Sequence, residues 1–217
     1  MERRQIVISG IGAVSAVGIG ANTFFDNLSN GVSGIGKITH YDASPQASQI
    51  AGEIKDFAPE DYFSKKMIRR TGRYIQIGLL SAHEAVENAQ LKLDDEDATR
   101  MGCLFSSGIG DFPMAEESVL VYHNQGAGKM SPFTTPRASA NMVSANISLE
   151  LGLKGPSLGL TSACTSGAHA IAIAAIMLQA GHADVIIAGA AESCLSPAAV
   201  ESYIALRALS TRNENPT

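Results

Sequence analysis

Residues 168–178 are almost wholly apolar and show no polar face, and this run constrains the fold more than any other part of the sequence. A helix that is hydrophobic on every side has to be covered on every side. The run therefore predicts a helix that is buried between layers of other elements. It begins just after Cys164, a cysteine flanked by small residues, and Gly181 marks its predicted end.

Short apolar runs alternate with helical patterns along the rest of the chain. Predicted strands cover residues 5–9, 101–106, 157–161 and 183–188. Predicted helices cover residues 22–28, 66–89, 114–123, 140–151 and 198–208. Most of the strands are apolar on both faces, as in a sheet that helices cover on both sides. The alternation predicts a single layered α/β unit with a parallel or mixed sheet.

The composition excludes several classes of function. The 217 residues carry a formal net charge of −5, so no surplus of cations favours nucleic acid as a partner. The sequence contains no uninterrupted apolar run of membrane-spanning length, and its first residues lack the pattern of a signal peptide. The cysteines Cys103, Cys164 and Cys194 have neither disulfide-scaffold nor metal-site spacing. We therefore expect a cytoplasmic protein with no membrane span and no metal.

Residues 160–171 carry the clearest chemical pattern. A strand ends, small residues surround Cys164, and an apolar helix begins at once. Small neighbours allow a sharp strand-to-helix turn that exposes one side chain, and Ser162 and Ser166 stand where hydrolases have glycine in such an elbow. The N–H groups and dipole at a helix N-terminus favour a thiolate and can hold an oxyanion. Cys164 is therefore the candidate nucleophile, whereas we expect Cys103 and Cys194 to be inert.

The sequence offers no evident general base for this nucleophile. His169 follows Cys164 by five residues, which on a helix turns its side chain away by about 140°. We expect it to be a packed or hydrogen-bonded histidine of the core. Residues 10–12 lack the third glycine of a dinucleotide-binding motif, and residues 107–110 lack the lysine of a phosphate-binding loop. Both segments therefore predict turns and not nucleotide sites.

Five cations gather near the start of the helix predicted over residues 66–89. They are Lys65, Lys66, Arg69, Arg70 and Arg73. Such a cluster is usually a solvated helix face. In an acidic protein it also fits the docking of an acidic partner, so both interpretations stay open at this point.

Nine short motifs match one protein family in order and in spacing. They are VISGIG at residues 7–12, GVSG at 31–34, SSGIG at 106–110, SPF at 131–133, NM at 141–142, GPS at 155–157, TSACTSG at 161–167, ADV at 183–185 and ALSTRN at 208–213. The chain resembles the N-terminal half of a β-ketoacyl-acyl-carrier-protein synthase of the elongating KAS II type, in the thiolase-like superfamily. The resemblance implies a thiolase-like layered α/β fold, with a mixed sheet covered by helices and a buried helix that bears the nucleophile.

The resemblance also implies roles for the nucleophile and for the basic cluster. Cys164 would accept an acyl chain from the phosphopantetheine of acyl carrier protein, and its own backbone N–H would supply one oxyanion donor. Lys66, Arg69 and Arg70 fall on positions that dock the acidic carrier protein. No cofactor is implied beyond the phosphopantetheine that carries the substrates.

Four further residues are implied in substrate binding. Gly108 and Ile109 would line the acyl pocket. Tyr203 stands where the family usually has a pocket-lining phenylalanine, and Thr134 stands where related members carry an aromatic residue that reaches a neighbouring subunit. Because Tyr203 and Thr134 change the size and polarity of the pocket, the preferred acyl chain stays open.

The implied reaction is the decarboxylative Claisen condensation of an acyl thioester with malonyl carrier protein, in fatty acid or polyketide synthesis. Residues 1–217 would form one N-terminal ketosynthase domain that stops before its last strand. The C-terminal half, with two catalytic histidines, a lysine and a second oxyanion donor, would be absent. We therefore expect an inactive isolated chain whose partners are that half, the carrier protein, and a second ketosynthase subunit that is either identical or paired.

Two other functions stay open on the sequence. One is a non-catalytic partner of an active synthase, although such partners usually lack the cysteine. The other is a thiol acyltransferase or hydrolase of a different fold, which needs a histidine close to Cys164.

Overall fold

The computed structural model describes residues 4–216, so the outer bounds of the predicted domain, 1 and 217, lie outside the described residues. The α-helices are α1 (Ala21–Ser29), α2 (Lys65–Arg70), α3 (Arg73–Asn88), α4 (Phe112–Gln125), α5 (Thr134–Ala138), α6 (Met142–Glu150), α7 (Ser166–Gln179) and α8 (Pro197–Ala205). The strands are β1 (Val14–Ser15), β2 (Gly18–Ile19), β3 (Gly36–Lys37), β4 (Ile50–Ala51), β5 (Met101–Ser106), β6 (Ser157–Leu158) and β7 (Val185–Ala190). Along residues 4–216, no helix has both the length and the apolar character that a bilayer crossing requires.

A three-stranded parallel sheet organises the fold, in the order β6, β5, β7. Cys103 in the middle of β5 lies opposite Ser157 on one side and Ile187 on the other. Two small antiparallel hairpins, β1–β2 and β3–β4, lie outside this sheet. Since parallel strands share one direction, the carboxyl ends of β5, β6 and β7 meet at the same edge of the sheet.

The core lies on the two faces of β5, which is buried along its whole length. Cys103 and Phe105 pack into a cluster with side chains of α3 and α6. Leu104 points to the opposite face and packs against Ala170 and Ala174 of α7. Successive strand side chains alternate between faces, so the sheet is sandwiched between α3 and α6 on one side and α7 on the other. The predicted layered α/β architecture is confirmed.

The prediction that α7 is buried on all sides is wrong for the described chain. Ala170 and Ala174 are buried against the sheet, but Ile171 and Ile176 on the outer face are 52% and 57% exposed. All-round hydrophobicity predicts that a helix needs cover, but it does not say which polypeptide supplies that cover. Within residues 4–216 the sheet covers α7 on one face.

Two further predictions from the periodicity are wrong in detail. Residues 5–9 are not a strand, and Val7 and Ile8 are 71% and 78% exposed. The helix predicted over residues 66–89 is two helices, because the backbone is extended at Thr71 and the Thr71 hydroxyl donates a hydrogen bond to the Met67 carbonyl at 2.8 Å. Gly72 is the N-cap of α3, and a Cβ added to it would collide with the Asp111 carboxylate.

The remaining elements form close to their predicted positions. Helices α1, α4, α6 and α8 lie within a few residues of the predicted stretches, and β5 has its predicted bounds. The strand predicted over residues 157–161 is shorter and ends at Leu158. The residues after it are used instead for the turn that leads to α7.

Candidate active site

Cys164 lies in a tight turn between β6 and α7. Its side chain is exposed, and α7 begins two residues later at Ser166. The residue before it, Ala163, has a positive φ of 53°. That conformation is rare for a residue with a Cβ and indicates a strained turn. The sharp strand-to-helix turn predicted from the small residues is therefore present.

Small hydroxyl side chains hold this turn together. The Ser166 hydroxyl donates to the Ala163 carbonyl at 2.6 Å and accepts from the Ser162 N–H at 2.9 Å. The Thr165 hydroxyl donates to the Ser162 carbonyl at 2.7 Å. These bonds pair backbone groups that a turn leaves without a ladder partner. Glycine would only allow the backbone to adopt this turn, whereas the serine and threonine hydroxyls also hold the turn in place through hydrogen bonds.

The turn is also tied to the carboxyl end of the central strand. The Leu160 N–H donates to the Ser106 hydroxyl at 3.2 Å, and the Thr161 hydroxyl donates to the Ser107 carbonyl at 3.2 Å. Ser106 is the last residue of β5, and Ser107 begins the loop that follows it. Cys164 is therefore held at a fixed place relative to the loop of residues 107–110.

Glu192 fixes that loop from the other side. Its carboxylate accepts a hydrogen bond from the Ser107 hydroxyl and another from the Gly108 N–H, each at 2.7 Å. A Cβ at Gly108 would lie 2.8 Å from the Glu192 carboxylate and 3.3 Å from the Ala163 carbonyl. Gly108 and the neighbouring Ile109 therefore lie beside the turn that carries Cys164.

Sequence reasoning missed Glu192. The available signal was its position: it is a carboxylate that follows β7 by two residues, at the edge where the parallel strands end. Polar side chains at that edge are common in the binding sites of parallel sheets.

The other two cysteines differ from Cys164 in their surroundings. Cys103 is buried in β5, and burial raises the pKa of its thiol to about 11. Burial and then the charge of Glu192 raise the pKa of Cys194 to about 12. Both thiols are therefore protonated near neutral pH, in line with the inert role expected for them.

His169 lies on the first turn of α7 and contacts the elbow through Ser162. The Ser162 hydroxyl and the His169 Nδ1 are 2.6 Å apart. The predicted hydrogen-bonded histidine is confirmed, but its predicted place in the core is wrong, because the outer face of α7 is exposed. Among the hydrogen bonds of residues 4–216, none joins His169 to Cys164.

Tyr203 on α8 lies within electrostatic reach of Cys164, and Thr134 lies at the start of α5. Burial, followed by the charges of Cys194, Cys164 and Glu192, raises the pKa of Tyr203. Thr134 begins α5, and its hydroxyl accepts a hydrogen bond from Ser118 of α4 at 3.5 Å. The structure thus brings Gly108, Ile109 and Tyr203 near Cys164 and joins Thr134 to α4.

The basic cluster divides into an exposed part and an inward part. Lys66, Arg69 and Arg70 are exposed on α2, and the two guanidinium groups lie 5.7 and 6.0 Å from the centre of the Phe133 ring. The ion pairs found among residues 4–216 include none of these three cations. Arg73 instead points inward, donates to the Ile54 carbonyl and lies 5.0 Å from the Phe57 ring centre.

The geometry supports nucleophilic chemistry at a thiol. The Thr165 and Ser166 N–H groups donate to the Ser162 and Ala163 carbonyls. Among the hydrogen bonds of residues 4–216, none uses the Cys164 N–H, so this group can hold an oxyanion. Within the described part of the chain, no cluster of three histidine, cysteine or carboxylate side chains has the geometry of a metal site. The site therefore has a nucleophile, the Cys164 thiol, and one oxyanion donor, the Cys164 N–H.

Comparison with known proteins identifies the family. The model of the N-terminal domain of beta-ketoacyl synthase matches residues 3–217. The chain belongs to the beta-ketoacyl synthase family. The resemblance drawn from the nine motifs is confirmed.

Curated relatives of this family are similar along the whole chain. The 3-oxoacyl-[acyl-carrier-protein] synthase 2 of Coxiella burnetii is 39% identical over 216 residues, which are 100% of this chain and 52% of that protein. The protein of the same name from Vibrio cholerae is 37% identical with the same coverage. The chain therefore spans about half the length of the curated relatives that it matches.

Solved structures of ketosynthases share the fold. A beta-ketoacyl synthase from Burkholderia phymatum superposes with a TM-score of 0.85 at 26% identity, over 100% of this chain and 53% of that one. A type II polyketide ketosynthase, solved in complex with its acyl carrier protein, gives a TM-score of 0.80 at 23% identity, over 91% of this chain and 53% of that one. The thiolase-like fold class is confirmed.

Proposed function

We propose that this chain carries the acyl-accepting half of a 3-oxoacyl-acyl-carrier-protein synthase. The observation that carries the proposal is the strained elbow, which holds the exposed Cys164 at the start of α7 beside the loop fixed by Glu192. Membership of the family and the names of the relatives support the same reaction. The product would be a 3-oxoacyl chain on the carrier protein.

The first step is acyl transfer to Cys164. Its thiolate sulfur forms a bond with the carbonyl carbon of the acyl thioester, and the oxyanion that develops is held by the Cys164 N–H. The bond from that carbon to the phosphopantetheine sulfur then breaks. The carrier thiolate leaves and takes up the proton that the Cys164 thiol gave to solvent.

The second step forms the carbon–carbon bond. Malonyl thioester loses CO₂, and the resulting enolate carbon attacks the acyl carbonyl, which releases the Cys164 thiolate. Enolate charge on a thioester oxygen needs its own donors, which commonly contribute several kcal/mol to catalysis. We propose that these donors are the two histidines that the family resemblance implies in the C-terminal half.

The residues near Cys164 would form one wall of the acyl pocket. Gly108 lies beside the elbow, Ile109 follows it in the same loop, and Tyr203 lies within electrostatic reach of Cys164. Thr134 would act from α5 at greater distance, at the position where related proteins contact a neighbouring subunit. A homodimer or a paired ketosynthase subunit would then complete the pocket.

Acyl carrier protein would dock on α2. Lys66, Arg69 and Arg70 are exposed and make no ion pair within residues 4–216, so an acidic surface can approach them. A structural neighbour of this fold was solved in complex with its carrier protein, which supports the same type of partner here.

Loading of Cys164 tests the proposal. The protein is incubated with octanoyl carrier protein, and intact mass spectrometry measures acylation of the wild type, Cys164→Ala and the matched control Cys194→Ala. We expect the octanoyl mass on the wild type and on Cys194→Ala and not on Cys164→Ala. Absence of acylation from all three would favour a non-catalytic partner subunit, and rapid release of free octanoate would favour a hydrolase.

A further inference from the structure

Glu192 uses both oxygens of its carboxylate to hold the loop that follows β5. Its Oε1 accepts a hydrogen bond from the Ser107 hydroxyl and its Oε2 accepts one from the Gly108 N–H, each at 2.7 Å. The buried Ser107 hydroxyl in turn accepts from the Gly110 N–H at 2.8 Å. These three linked bonds hold residues 107–110 in one arrangement.

The bond pattern requires a carboxylate at residue 192. Each carboxylate oxygen receives one of the two donors, whereas a glutamine amide has one accepting oxygen and one donating NH₂ group. Glu192→Gln therefore keeps the size of the side chain and removes one of the two acceptors. The loop would lose at least one of the bonds that hold it.

Gly108 connects this loop to the elbow. A Cβ added at Gly108 would lie 3.3 Å from the Ala163 carbonyl oxygen, so the glycine backbone lies against that carbonyl. The Ser166 N–H and hydroxyl donate to the same carbonyl at 3.0 and 2.6 Å. The loop and the first residue of α7 therefore both fix the position of the Ala163 carbonyl.

The Ala163 carbonyl belongs to the peptide unit that also carries the Cys164 N–H. Because a peptide unit is planar, its carbonyl and its N–H turn together. The φ of 53° at Ala163 is strained, and strained conformations persist only where the surrounding contacts hold them. Loss of the contact with Gly108 would therefore let this peptide unit turn, and the Cys164 N–H would turn with it.

We propose that Glu192 is a positioning residue for the oxyanion donor. Through Gly108 and the Ala163 carbonyl, its carboxylate keeps the Cys164 N–H aimed at the carbonyl oxygen of the incoming thioester. Among the hydrogen bonds of residues 4–216, none joins Glu192 to Cys164, so Glu192 acts through the loop. This inference rests on the proposed function, because it requires a thioester that acylates Cys164.

Two reactions of the same sulfur test this role. Acylation by the octanoyl thioester of N-acetylcysteamine passes through an oxyanion, whereas iodoacetamide alkylates the sulfur by displacing iodide and forms no oxyanion. Both reactions use the Cys164 thiolate, so a change in the amount of thiolate leaves the ratio of the two rates unchanged. Peptide mass spectrometry measures both rates at Cys164.

We expect Glu192→Gln to lower the ratio of acylation to alkylation about ten- to hundredfold. Removal of one oxyanion donor costs about 10²–10³ in rate, and here the donor is displaced and not removed. Ser107→Ala keeps the charge of Glu192 but removes one of its bonds, so it should lower the ratio as well. The double variant should be little worse than Glu192→Gln, because both residues act through the same loop.

Two controls accompany these variants. Glu117→Gln removes a carboxylate that lines the same cavity as Glu192, and it should keep the wild-type ratio. Cys103 is buried, so its alkylation reports unfolded protein. A variant in which Cys103 reacts as slowly as in the wild type is folded, and if Glu192→Gln does not meet this criterion, Ser107→Ala decides the test.

The outcomes separate this inference from the proposed function. A wild-type ratio in folded Glu192→Gln, or in Ser107→Ala where that variant decides, would overturn the inference and leave the acyl-cysteine function intact. An equal fall of the ratio in Glu117→Gln would also overturn it, because charge and not the loop would then be the cause. A wild type that iodoacetamide alkylates but the thioester does not acylate at Cys164 would refute the proposed function, and the inference with it.

Discussion

Cys164 is exposed, whereas Cys103 is buried and Cys194 is half-buried. The pKa is about 11 for Cys103 and about 12 for Cys194. At pH 8, about one Cys103 thiol in a thousand is ionised, and the ionised fraction of Cys194 is smaller still. We expect iodoacetamide at pH 8 to label Cys164 first, as followed by peptide mass spectrometry. Labelling of Cys194 at the same rate would contradict this order, and Cys164→Ala is the control.

Ala163 carries the backbone strain of the elbow, because its φ is 53°. We expect Ala163→Gly to be tolerated, since glycine adopts this conformation readily. Ala163→Val should lower the free energy of unfolding by about 1–2 kcal/mol, because a β-branched side chain is strained there. Urea unfolding measures the difference, and equal stability of the two variants would show that the turn relaxes to another conformation.

The sequence predicts the environment of a residue only where residues next to it in the chain determine that environment. The small residues around Cys164 predict an exposed thiol in a sharp turn, and the structure has that turn. Glu192 reaches the site from a distant part of the chain, so its role depends on how the strands are ordered. The sequence predicts the hydrogen bond of His169 but not the exposure of its side chain, which depends on what covers α7.

Helix α2 carries exposed cations that make no ion pair within residues 4–216. We expect the double variant Arg69→Glu/Arg70→Glu to weaken binding of acyl carrier protein at least about tenfold, as measured by calorimetry, because it replaces attraction by repulsion. Added salt should weaken the wild-type complex as well. Lys92→Glu/Lys154→Glu, at two exposed lysines outside α2, is the matched double charge reversal, and an equal effect of both variants would indicate a general charge effect.

Phe133 orders the two arginines of α2 by lying beneath both guanidinium groups. We expect Phe133→Leu to weaken carrier-protein binding by about two- to fivefold, since a cation–π contact at an exposed site contributes about 0.5–1 kcal/mol. The same calorimetric titration measures it. No change in affinity would mean that the arginines are positioned without the ring.

The segment around β3 and β4 depends on one buried carboxylate. Burial alone would raise the pKa of Glu53, but hydrogen bonds from the Thr39 N–H and hydroxyl and from the His40 N–H outweigh it and lower the pKa. A lowered folded-state pKa contributes stability that is present above the ordinary value and is lost as the pH falls through the folded value.

We therefore expect the wild type to lose more unfolding free energy between pH 6 and pH 3 than Glu53→Gln does. Urea unfolding at several pH values measures both slopes, and the exposed Glu60→Gln is the control that keeps the wild-type slope. Parallel slopes for the wild type and Glu53→Gln would show that other carboxylates cause the acid sensitivity.

Hydrophobic periodicity predicts whether a segment is a helix or a strand better than it predicts whether that segment is unbroken or which neighbours pack against it. The helix predicted over residues 66–89 has the right residues on its buried face, but the turn at Thr71 depends on a side-chain hydrogen bond that periodicity does not register. The strand predicted over residues 5–9 has the composition of a strand, yet a strand also needs a neighbour in a sheet.

On the scale of the whole molecule, the outer face of α7 is an exposed apolar surface. Ile171 and Ile176 lie on it, and patches of this kind promote association. We expect the purified chain to self-associate with rising concentration in light scattering, and Ile171→Ser/Ile176→Ser to shift it toward the monomer. Val119→Ser on α4, which is also exposed, is the control, and a wild type that stays monomeric throughout would contradict the prediction.

The common direction of β5, β6 and β7 separates the molecule into a reactive edge and an inert one. The amino ends of these strands lie far from Cys164, at an edge where Arg100 pairs with Asp184 at 2.9 Å. Dyes, affinity tags or inserted loops attached at this inert edge, for example in the polar turn at Leu93–Asp95, would leave the elbow and its hydroxyl bonds untouched. The same separation makes that edge the natural place to immobilise the protein on a sensor surface.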